Sequence, residues 1–70
     1  MPESVYRVTE LVGTSAESWE KAAQVAIETA SSSLRDLRIA EVVRLDLSVE
    51  DGKVARFRTW LNVSFKYESE

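Results

Sequence analysis

The chain has 70 residues with no cysteine and no histidine, and its 12 acidic against 9 basic side chains give a net charge of −3. One small α+β domain spanning 1–70 follows, and a chain this short buries only about 60% of the surface its unfolded form exposes, so its single core is thin. Disulfides, thiolate or imidazole zinc sites and a neutral-pH proton shuttle are excluded, which leaves close packing, self-assembly, or a bound ligand or hard cation as the sources of stability.

The elements read in chain order as β-α-β-β. Val5 to Val12 is rich in β-branched and aromatic residues and stops at Gly13, which predicts a first strand closed by a turn. Thr14 or Ser15 is the expected N-cap of a helix, with Thr14 and Glu17 at capping-box spacing. Trp19, Ala22, Ala23, Ala26, Ala30, Leu34 and Leu37 then recur at intervals of three and four, predicting one long amphipathic helix to about residue 37 despite the low propensity of Ser31-Ser32-Ser33.

From Ile39 the period becomes two, with Val43, Leu45, Leu47 and Val49 alternating with Arg44, Asp46, Ser48 and Glu50. Asp51-Gly52 supplies a tight reversal. A third strand follows in which Phe57, Thr59, Leu61, Val63, Phe65 and Tyr67 alternate with polar residues, and Glu68 to Glu70 form a tail. The expected fold is a three-stranded antiparallel sheet packed on one helix.

That helix can fill one sheet face, while the opposite face and the hairpin ends have nothing in the chain to cover them. Trp60 lies among Arg56, Arg58, Asn62, Ser64 and Lys66, away from the alternating apolar set. The choice is between a surface ring packed on the stems of Arg58 and Asn62 and a contact with another subunit; the size of the ring favours the contact. Scattered charge without a basic run argues against nucleic acid. No stretch approaches the ~20 apolar residues of a membrane span, and Met-Pro-Glu-Ser has no signal-peptide character, so a cytoplasmic address is expected.

Tyr6-Arg7-Val8, Gly13-Thr14-Ser15, Ser18-Trp19-Glu20, Ala22-Ala23, Ala40-Glu41-Val42 and Val63-Ser64-Phe65-Lys66 together, in this order and spacing, resemble the dodecin family over nearly the whole chain. The resemblance implies a hollow homododecameric binding or storage shell with a sheet wrapped partly round its helix. In flavin-binding dodecins a tryptophan stacks on the isoalloxazine ring just before the Ala-Glu-Val segment, and a glutamine early in the last strand bonds the ring edge. Those positions hold Ile39 and Arg58 here, and an acidic residue that follows the tryptophan is replaced by Arg44. An aliphatic side chain cannot stack, and a guanidinium offers donors where an amide offers both donor and acceptor. The Ser-Trp-Glu and Val-Ser-Phe-Lys segments look closer to the calcium dodecins, which lack the flavin tryptophan.

The resemblance therefore implies binding of Ca2+, or of a small anionic ligand such as coenzyme A, in preference to riboflavin or FMN in the usual mode. The alternatives are a flavin-storing dodecin with an altered site and an assembly that is purely structural. No EF-hand loop is present, so metal ligands are not assigned, and any calcium site must combine several chains. Glu10, Glu41, Asp46 and Glu50 are the strand carboxylates that symmetry could gather, each reading more readily as a surface carboxylate. Arg44, Arg56 and Arg58 read as a basic ring or anion grip, or more ordinarily as partners of Asp46 or Glu50 across the hairpin. Without histidine or cysteine, no pair such as Glu41 and Tyr67 is brought together by sequence, and no enzyme chemistry is expected.

Overall fold

A computed structural model describes residues 4–66. The elements are β1 (Tyr6–Ser15), α1 (Trp19–Ser31), β2 (Leu37–Glu50) and β3 (Lys53–Lys66). The three strands form one antiparallel sheet in the order β1-β3-β2, so the last strand lies in the middle and both outer strands run antiparallel to it. The α+β class and the β-α-β-β order agree with the sequence reading; four boundaries do not.

The first strand does not stop at Gly13. It continues pairing with β3 to Ser15, opposite Phe57. Gly13 serves close packing: a Cβ there would lie 2.1 Å from the Ala22 carbonyl oxygen and 2.9 Å from the Ala26 methyl. Neither Thr14 nor Ser15 caps the helix, because both are still strand residues. Ser18 is the cap, its extended backbone turning the chain while its hydroxyl accepts from the Lys21 N–H at 2.9 Å. Ser15 instead accepts from the Glu17 N–H and shapes the connection.

The helix also ends early, so it is not long: its 13 residues span about 20 Å. The serine run terminates it. Ser32 returns its hydroxyl to the Thr29 carbonyl at 2.7 Å, and the Ser33 and Leu34 N–H groups both reach the Ala30 carbonyl. Asp36, with φ of 57°, then redirects the chain. Leu34 thus lies in the connection, and Leu37 begins β2 two residues before the expected start at Ile39.

Strict alternation also fails in β2. Register shifts fall between Leu37 and Ile39, Val42 and Arg44, and Ser48 and Val49. The adjacent apolar pair Val42-Val43 marks the central one: Val42 pairs with Leu61, Arg44 pairs with Trp60, and Val43 is the extra residue. The reversal at Asp51-Gly52 is as expected, with φ of 52° and 74°, the positive pair that suits a two-residue hairpin turn. Tyr67 and the expected tail lie outside the described residues.

The core is small. Ala22, Ala26 and Ala30 on α1 face Leu61 and Val63 on β3, flanked by Leu11, Ala23, Ile27 and Leu37. Buried Thr59 gives its hydroxyl to the Trp19 carbonyl at 2.9 Å, and the Trp19 ring meets Phe57 edge-on at 5.2 Å. α1 packs on β1 and β3 and touches β2 only slightly. The helix-side residues of β2 consequently stay exposed, among them Val42, Leu45 and Leu47. Exposed apolar residues thus lie on both sheet faces, with Val42, Leu45 and Leu47 on the helix side and Tyr6, Val8, Val12 and Ile39 on the far side, which also carries a polar cluster. The radius of gyration is 14.5 Å, against about 11 Å for a compact chain of this length.

Replacing Gly13 by Ala drives a methyl into the helix backbone and should lower stability by about 1–3 kcal/mol, the range of overpacked cores. Urea unfolding of the variant measures it, and a midpoint equal to that of the parent chain would show that the helix can retreat without cost.

Candidate functional site

Trp60 lies on the far side of the sheet from α1, half-buried, because its strand neighbours Thr59 and Leu61 point into the core. Antiparallel register places Val12 beside it on β1 and Arg44 on β2, while Asp46 faces Arg58 one step along the hairpin. The bulge at Val43 creates this alignment by moving Arg44 and Asp46 onto the face shared with Trp60 and Arg58.

Three side chains converge on the Asp46 carboxylate. Arg58 donates from Nε to Asp46 Oδ1 at 2.8 Å and from Nη2 to Oδ2 at 2.9 Å, a bidentate fork. The Trp60 indole N–H donates to the same Oδ2 at 3.0 Å, and Arg44 Nη2 stands 3.8 Å from it. Arg44 also lies over the Trp60 ring with its guanidinium carbon 3.9 Å from the centroid, and that of Arg58 is 5.3 Å away. On the backbone side, the Asp46 carbonyl accepts from the Trp19 indole N–H at 3.1 Å. Both tryptophans of the chain therefore hydrogen-bond to Asp46.

The hydrogen bonds from Arg58 lower the Asp46 carboxyl from 3.8 to about 2; the Trp60 N–H and the charges of Arg58 and Arg44 add to this, against partial desolvation. The same bonds raise Arg58, which stays protonated. Asp46 is thus engaged by cations of its own chain. Of the other carboxylates, Glu10 and Glu41 flank Asn62 from either side across the three strands, and Glu50 stands opposite Lys53 at the turn. Among the described residues no group of three or more acidic, histidine or cysteine side chains is gathered within one protomer.

The residues at the family's flavin positions are separated in the protomer. Arg58 and Arg44 meet at Asp46, whereas Ile39 pairs with Ser64, six residues farther along β3 and about 20 Å away. Ile39 is 62% exposed, and its carbonyl accepts a long bond of 3.4 Å from the Ser64 hydroxyl. Arg56 stands opposite Ser48 and makes no ion pair among the described residues. The pairing of Arg58 with Asp46 was open to sequence reasoning as a cross-hairpin ion pair. The part of Trp60 as a donor was not, because it depends on the bulge; the adjacent valines were its only trace.

The dodecin family profile matches residues 5–68. Calcium dodecin of Mycobacterium tuberculosis is 43% identical over 63 residues, covering 90% of this chain and 89% of the relative. A dodecin of Thermus thermophilus is 38% identical over 64 residues, covering 91% and 93%. Among solved structures, dodecin from Streptomyces coelicolor superposes with a TM-score of 0.92 at 38% identity over the whole of both chains. Calcium dodecin of M. tuberculosis, described as a calcium-chelating antigen with a novel calcium-binding site, superposes with a TM-score of 0.83 at 43% identity over 96% of each chain.

A group whose folded pKa is depressed stabilises the fold fully above its unfolded value and loses that contribution as pH falls through the folded value. The Asp46 contribution should therefore be complete above about pH 4 and vanish towards about 2. Urea midpoints across that window should fall more steeply for the parent chain than for Asp46→Asn; parallel curves would separate Asp46 from acid sensitivity.

Proposed function

The chain belongs to the dodecin family, and from that premise we propose that it assembles as a hollow homododecameric shell that binds a hard cation such as calcium or a small anionic ligand. It does not take flavin in the manner of the flavin-binding members, and it carries out no reaction of its own. The observation that carries the ligand reading is the capture of Arg58 by Asp46. The side chain standing where an amide would meet the flavin edge is tied by two hydrogen bonds to a carboxylate of its own strand pair. Ile39 adds no aromatic face at the stacking position.

Assembly is supported by the exposed apolar edge of β2 and by the extended shape. A calcium-binding relative at 43% identity supports the cation. Six to eight oxygens are needed around Ca2+, and Glu10 and Glu41 beside Asn62 supply too few in one chain, so such a site combines several copies. With its scattered charge and acidic balance the shell has no nucleic-acid partner, and its address is cytoplasmic; among the described residues no helix is long and apolar enough to cross a membrane.

Trp60 is assigned to a contact between subunits. Its truncation to Ala should weaken assembly by about 2 kcal/mol per buried site, as at interface hot spots, while Trp19→Ala should loosen each protomer. Sedimentation velocity separates the two effects, and a Trp60→Ala oligomer as tight as the parent would remove Trp60 from the interface.

Sedimentation of the parent chain at micromolar concentration should give a closed shell; a monomer or dimer would end the proposal. Thermal shifts with Ca2+, coenzyme A and riboflavin read the ligand, since one that binds only the folded form raises its stability. A rise with Ca2+ or coenzyme A is expected. Tight riboflavin binding with strong quenching would refute the reading of Ile39 and Arg58.

A further inference from the structure

The donors around Asp46 have the composition of an anion receptor. One guanidinium presents a fork, an indole N–H aims at one oxygen from the side, and a second guanidinium stands 3.8 Å from that oxygen. Such sets recognise carboxylate and phosphate groups by direction as well as charge. None of the four side chains is fully enclosed: the side chains of Asp46, Arg58 and Arg44 are 30%, 38% and 58% exposed. The receptor opens on the far face of the sheet.

We propose that Arg58, Trp60 and Arg44 form an oxyanion-binding site that Asp46 occupies as a built-in competitor, so that an external carboxylate or phosphate group enters only by displacing it. The argument is one of effective concentration. Asp46 sits on the strand paired with Arg58, in register, and is held from behind by the Trp19 bond to its carbonyl. An anion positioned in this way outcompetes a free one present at millimolar concentration. Asp46 is thus a specificity residue: it rejects simple monocarboxylates and admits only a ligand whose anionic group binds the three donors better than it does. The inference rests on the small-anion arm of the function proposed above and supplies its location.

Removing the competitor should expose the site. Isothermal titration of Asp46→Ala with formate, against chloride at matched ionic strength, should show saturable binding roughly tenfold or more tighter than to the parent chain. Formate is chosen because the site opens on the face assigned to subunit contact, where a larger probe would be hindered. Formate should also raise the melting temperature of Asp46→Ala, and the added change Arg58→Gln should abolish both effects. Equal responses of parent and Asp46→Ala would show that Asp46 does not block the site. Persistence of the response in Asp46→Ala with Arg58→Gln would show general salt binding; either result overturns the proposal. Should Asp46→Ala fail to fold, Asp46→Asn, which removes the charge and keeps the shape, takes its place, and a silent Asp46→Asn is likewise fatal. The oligomeric state is read separately, so a failed shell and a failed receptor are distinguishable.

Discussion

The absence of a side chain at residue 13 governs how this molecule is put together. Ala22 and Ala26 press against the bare backbone of β1 at Gly13, closer than any Cβ would allow. That contact seats α1 over β1 and the central strand, where three alanines and two aliphatic side chains close a core. A helix drawn to that side cannot also cover β2. The exposed leucines and valines of β2 are therefore the other half of the same packing decision, and a chain with so thin a core is left with a surface that suits another copy of itself.

Asp46 joins the two faces of the sheet. Its backbone carbonyl anchors the first residue of the helix through Trp19, and its carboxylate gathers Arg58, Trp60 and Arg44 on the other side. A change on the far face can thus be felt at the helix start through a single residue, with the sheet hydrogen bonds of β2 and β3 holding the register between them. Charge is balanced locally within this cluster to the extent of one carboxylate against two guanidinium groups, which leaves the cluster positive although the chain as a whole is acidic.

Much of this was legible in residue order. The alternation of β3, the Asp51-Gly52 reversal and the placement of Trp60 away from the core follow from a period of two and from the turn chemistry of two residues. The helix end did not follow, because Leu34 and Leu37 fall by coincidence on the helical stripe while the hydroxyls of the serine run compete for the last carbonyls. The first strand runs past Gly13 because that glycine serves close approach of the helix and not a turn, and a lone glycine in residue order does not tell the two apart. The cluster at Asp46 was half visible: an Arg–Asp pair across a hairpin is ordinary, but the meeting with Trp60 requires the extra residue at Val43, and a bulge leaves only two adjacent apolar residues as its mark. Ile39 and Arg58, both named in the flavin-site reading, lie six residues apart measured along β3 in one chain, a separation that the bare alignment of motifs does not reveal.

The strand order has a consequence for the order of folding. β3 follows β1, α1 and β2 in the chain, and it is the strand to which both β1 and β2 pair. Until it is in place, neither outer strand has a mate and the helix has no Leu61 or Val63 to cover. The β2–β3 hairpin, closed by its two-residue turn, is a local event on the microsecond scale, whereas β1 must then find β3 across some forty residues of intervening chain, the slower kind of contact to form. Pairing of β1 is thus the late step, and the core closes only when β3 lies between the two outer strands.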